Sequence, residues 1–271
     1  MKHKTAQSIL ALRRLAKKEQ RLLLKKTAKD APYLSRVLAD KLPPKLRDTL
    51  HGAFLRAFET IFRNGSAVID KTIPAEKMQT EYALHRYTAA LKPTKKHLRA
   101  FTVAAQKRSR GNTLLSGTAG AAMGFLGIGL PDIPVLVGFL LKTVYETALA
   151  NGFDYKTPGE QYFILLLIES ALSCGAAAEE RETLVNAWIE AHRSIPAGEQ
   201  RDAVFRNQLQ RTADALADAV LYMKFIQGLP VIGVTGGISD AVCVSQVGTY
   251  AAMKYERRRL TQRRPQTTDE Q

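Results

Sequence analysis

Cysteine is nearly missing from this chain: Cys174 and Cys243 are the only two in 271 residues, far apart and each inside an apolar run. Without a C-x-x-C pair or a neighbouring histidine they make neither a disulfide framework nor a thiolate metal set, and they read as small buried hydrophobes of a reducing compartment. The five histidines, His3, His51, His85, His97 and His192, are scattered without H-E-x-x-H or another ligand spacing, so no metal is expected. Val/Ile/Thr runs with period-two alternation are scarce, which argues against sheets. G-x-x-x-x-G-K-[ST] is absent, and Gly127-Ile128-Gly129-Leu130-Pro131-Asp132 lacks the third glycine and the preceding strand of a dinucleotide site, so no cofactor is expected. Aromatics make up 7% of the chain, and the basic stretches contain few of them and no helix-turn-helix, which weakens the case for nucleic-acid binding.

Positive charge is abundant and unevenly placed. The formal net charge is +15. Residues 1–30 hold ten Lys/Arg against Glu19 and Asp30, residues 92–110 hold seven against none, and residues 254–264 hold six against Glu256. Outside these stretches the chain is mildly acidic, and such concentration points to a partner rather than to solubility alone. The candidate anion-contacting groups are Arg13, Arg14, Lys17, Lys18, Lys95, Lys96, Arg99, Lys107, Arg108, Arg110, Arg257, Arg258 and Arg259. Clusters directly before one apolar segment and directly after another fit an anionic membrane surface, where each basic group contributes roughly 1 kcal/mol.

Helical periodicity dominates, and an all-α fold follows. Residues 5–29 predict a basic amphipathic helix with Ile9, Leu12, Leu15, Ala16, Leu22 and Leu23 roughly on one side. Leu46 through Phe62 recur at helical spacing and stop at Asn64-Gly65, a helix-ending pair. Helices are expected over 75–91, 94–110, 179–193 and 199–227. Thr157-Pro158-Gly159-Glu160 is a capping box with proline at the first helical position, so an apolar helix begins there. The expected organisation is an N-terminal basic helix (1–30), one multi-helix domain (31–264) and a polar tail (265–271). Arg13 and Arg14 break the first apolar stretch and no small-residue cleavage site follows, which sets a cytoplasmic location as the expectation.

Residues 116–141, SGTAGAAMGFLGIGLPDIPVLVGFLL, carry Asp132 as their one ionisable side chain. A membrane span needs roughly 20 consecutive apolar residues, and Pro131, Asp132 and Pro134 divide the run into two shorter halves. The favoured reading is a packed helical hairpin whose Asp132 caps the second helix, with entry into lipid and a ligand loop as alternatives. The stretch 229–253 repeats the theme around Gly233, Gly236, Gly237 and Asp240, either as an internal duplication or as a second use of one packing solution. Two Gly/Asp-rich apolar hairpins at the centre of the fold are thus expected. Gly237-Ile-Ser239-Asp-Ala241 faintly echoes the G-x-S-x-G elbow but lacks its strand, so Ser239 reads as a cap rather than a nucleophile. Asp132 and Asp240 are the nearest to catalytic candidates, with Asp154 and Glu160 beside them in a hydrolase reading. No small-molecule ligand is nominated.

One combination of motifs is more specific. Gly129-x-Pro131-Asp132-h-Pro134 is followed by a helix, then Gly152-x-Asp154-x-x-x-Pro158-x-Glu160 and a Phe/Leu-rich helix. Near the end stand Pro230-h-h-Gly233 and an Arg-rich helix with Arg257, Arg258 and Arg259. The chain thereby resembles the EcsC protein family. The resemblance implies a bacterial protein associated with an ABC-transporter operon linked to secretion, with an ABC transporter as a partner. The expected function is a non-catalytic accessory at the cytoplasmic membrane face, the alternatives being the hydrolase and nonspecific nucleic-acid binding.

Overall fold

The computed structural model describes residues 2–28, 44–63, 67–91, 103, 111–112, 133–191, 199–226 and 236–262. Among the described residues the regular structure is helical throughout, as the periodicity requires. The helices are α1 (Lys2–Thr27), α2 (Pro44–Arg63), the single turn α3 (Ala67–Asp70), α4 (Ala75–Leu91), α5 (Ile133–Ala150), α6 (Pro158–Leu172), α7 (Ala176–Glu190), α8 (Glu199–Ile226) and α9 (Gly236–Gln262).

The core forms where the apolar helices meet. α5 lies along α9 and is flanked by α2 and α4, while α6 is enclosed by α7, α8 and α9. Phe54 and Phe58 of α2, Leu140 and Val144 of α5, Phe163 and Leu167 of α6, Leu216 of α8 and Val244 of α9 join one continuous cluster. A helix apolar nearly all round must find cover on every side, and α5 and α6 do so by being surrounded. Among the described residues α5 alone is long and apolar enough to cross a membrane by length and composition, yet 72% of it is buried inside the body. The two apolar segments that resemble one another in sequence therefore supply α5 and α9, and these two helices pack together.

α1 is not a separate arm. It lies across α7 and α9, burying Leu15, Glu19 and Lys26. Apart from Val103, the basic helix expected at 94–110 lies outside the described residues, as do the Gly/Ala-rich residues 114–130 and the segment around Pro230 and Gly233.

Candidate functional site

The residues Gly152 to Glu160 build the corner between α5 and α6. α5 ends in a Schellman motif: Phe153 N–H donates to the Ala148 carbonyl and Gly152 N–H to the Leu149 carbonyl, each at 3.0 Å. That closure needs a left-handed residue, and Gly152 supplies it with φ 86°. Asp154 then turns the chain, its Oδ1 accepting from Lys156 N–H at 3.0 Å and its carbonyl from the Thr157 hydroxyl at 3.2 Å. Thr157 caps α6 by accepting from Glu160 N–H at 3.4 Å, with Pro158 in the first turn.

The other half of the expected capping box does not form. Instead of reaching back along its own helix, Glu160 turns into the protein and is 6% exposed. Its Oε1 accepts from the Tyr255 hydroxyl at 2.6 Å and from Arg258 at 2.7 Å, both from α9. The Arg258 guanidinium also lies over the rings of Phe153 and Phe163, 4.0 and 4.4 Å from their centres. Burial, and then the charge of Glu160, push the Tyr255 phenol well above its ordinary range, so it stays a donor.

The three closing arginines go to three different elements. Arg257 Nε donates to both carboxylate oxygens of Glu19 on α1 at 3.1 Å, and its terminal nitrogen bonds the same group. Arg258 meets Glu160. Arg259, 2% exposed, donates from Nε to Asn151 Oδ1 at 3.0 Å, beside the end of α5. The motif after α5 and the arginines of α9, distant in sequence, therefore meet as one junction.

A second layer ties α1 and α7 to the same helix. Lys254 is fully buried, with Nζ 3.1 Å from Glu19 Oε1, 3.0 Å from Asn186 Oδ1, and paired with Glu182. Tyr250 donates to Glu182 Oε2 at 2.7 Å. Burial opposes the charge on Glu182, but Lys254 and these donors outweigh it and hold the carboxyl below its ordinary range. Lys26 of α1 donates to the Ser170 carbonyl and lies 4.9 Å over the Tyr250 ring. Each of these carboxylates is occupied by cations and phenols, which is the arrangement of a stitched helix junction.

The remaining sequence candidates fall elsewhere. Pro134 is exposed in the first turn of α5, and Asp240 is 5% exposed in α9, close enough to Cys243 to help raise its thiol. Arg13, Arg14, Lys17 and Lys18 are exposed on α1. Gly129, Pro131, Asp132, Pro230, Gly233, Lys95, Lys96, Arg99, Lys107, Arg108 and Arg110 lie outside the described residues. Among the described residues no group of three or more His, Cys, Asp or Glu side chains is disposed to hold a metal ion. Glu19, Glu182, Lys254, Tyr250 and Asn151 escaped the sequence reading. The available signal was Glu19, a lone acid in an otherwise cationic helix.

Comparison with known proteins agrees with the motif pattern. No solved structure matches the chain. Protein EcsC of Bacillus subtilis (strain 168) is 25% identical over 133 residues, which is 49% of this chain and 51% of that protein. The chain thus aligns with about half the length of this curated relative. A family model described as the EcsC protein family matches residues 6–260, from α1 through the arginines of α9, so the chain belongs to that family.

Proposed function

We propose that this protein is a non-catalytic accessory factor that works at the cytoplasmic face of the membrane by engaging anionic headgroups. The observation carrying this reading is the sorting of charge on α1. Its single acid, Glu19, is buried against α9, whereas Arg13, Arg14, Lys17, Lys18, Arg21 and Lys25 are all exposed. Six cations near an anionic surface contribute roughly 1 kcal/mol each at most, enough for reversible, salt-sensitive attachment. The family resemblance puts forward an ABC transporter as the protein partner at that surface. The hydrolase reading draws no support from Asp240, which is buried beside a cysteine rather than open to a substrate.

Flotation with vesicles tests the reading. Protein mixed with phosphatidylcholine vesicles containing phosphatidylglycerol should float at low salt, sink at high salt, and sink with pure phosphatidylcholine. Equal behaviour with both vesicles, or a salt-dependent shift of duplex DNA or RNA without flotation, would overturn it.

A further inference from the structure

The geometry of α1 points to how it meets the bilayer, given that membrane reading. α1 has two unlike sides. Leu12, Leu15, Glu19, Leu22 and Lys26 follow one another at spacings of three and four, on the side that packs against α7 and α9. Leu10, Arg13, Lys17, Arg21 and Leu24 follow the same spacing on the opposite side, and all five are exposed.

The more apolar side is the one a free amphipathic helix would insert into lipid. Here that side has a carboxylate and an ammonium along its middle. In lipid Glu19 would meet anionic headgroups instead of Lys254 and Arg257, and buried Lys254 would lose one of its two acids. Charged groups that are paired inside a protein and placed within the apolar stripe mark a protein-facing side. The outward side is the complement: a row of cations flanked by Leu10, 47% exposed, and Leu24, 61% exposed, about 21 Å apart along the axis.

We propose that α1 binds an anionic bilayer without leaving the body. The Glu19, Lys254 and Arg257 cluster, with Lys26 on the Ser170 carbonyl, fixes the rotation of the helix so that only its cationic side faces lipid. Leu10 and Leu24 act as shallow apolar pegs at the two ends of the cation row.

Hydrogen exchange of the full chain, with and without phosphatidylglycerol-containing vesicles, separates this from a helix that peels away. Peptides covering 182–189 of α7 and 250–259 of α9 should keep their exchange rates when vesicles bind, because α1 still covers them. The Leu10→Gln/Leu24→Gln variant should melt like the parent and partition to these vesicles roughly tenfold less well. Vesicle binding accompanied by faster exchange at 250–259, or unchanged partition of the variant, would overturn the platform while leaving membrane attachment intact. Absence of any flotation with anionic vesicles would overturn both readings.

Discussion

Gly152→Ala is a sharp probe of the corner between α5 and α6. Two costs arise at this glycine. The backbone there has φ 86°, a region in which an L side chain costs roughly 1 to 2 kcal/mol. A Cβ at this position would also land within the Tyr82 ring, with the phenol oxygen only 2.6 Å away, so α4 or its tyrosine must shift. Tyr82 is half-buried and meets the new Cβ with the tip of its ring, so swinging it aside adds about 1 kcal/mol at most, for a total near 1 to 3 kcal/mol. For a chain of this size that lowers the melting temperature by about 2 to 10 °C, measurable by circular dichroism or calorimetry. The two costs separate in a double-mutant cycle. In a Tyr82→Ala background the steric part vanishes, and the same glycine substitution should cost only the backbone part. A loss below about 1 °C, or an equal loss in both backgrounds, would refute the reasoning.

Three further outcomes follow from the polar contacts. Glu160→Gln removes the charge that Arg258 and Tyr255 converge on and should destabilise by roughly 3 kcal/mol, read as a fall in the denaturant midpoint. His51 presents Nδ1 to Asp214 at 2.7 Å and Nε2 to Asp218 at 3.1 Å, an arrangement that needs both nitrogens protonated. The hydrogen bond to Asp218 leads, against partial burial, in raising its pKa above the ordinary 6.5. A raised histidine stabilises the fold fully below pH 6.5 and loses that contribution as pH rises through its folded value, so the melting temperature should fall above pH 6.5 in the parent and less in His51→Gln. Burial, assisted by Asp240, pushes the Cys243 thiol up, so native protein treated with iodoacetamide should be modified at Cys174 and not at Cys243 until unfolded.

Local signals located the helices well where they carry punctuation. Pro158 behind Thr157 marks the start of α6, whereas Asn64-Gly65, the expected stop after α2, lies outside the described residues. α7 starts at Ala176, earlier than its polar pattern suggests, because Gly175 at φ 61° breaks the chain and Ala176–Ala178 carry no periodic signal. The junction was much less legible. Its pairs join residues 98, 108 and 238 positions apart, beyond the reach of any periodicity argument. Three consecutive arginines read as one basic cluster, but a helix turns about 100° per residue, so its neighbours diverge. Arg257, Arg258 and Arg259 accordingly reach α1, the start of α6 and the end of α5. Buried Glu19 and Lys254 looked like surface charges because sequence does not reveal which polar groups will be paired inside.

On the proposed function, a folded helical body attaches reversibly to an anionic membrane. Fractionation of bacterial cells expressing the chain, followed by a salt wash, tests it most directly. The protein should sediment with membranes at low ionic strength and be released when the Debye length is cut to about 3 Å, near 1 M salt. Protein found wholly in the supernatant at low salt, or retained in the membrane after both salt and alkaline carbonate, would contradict it.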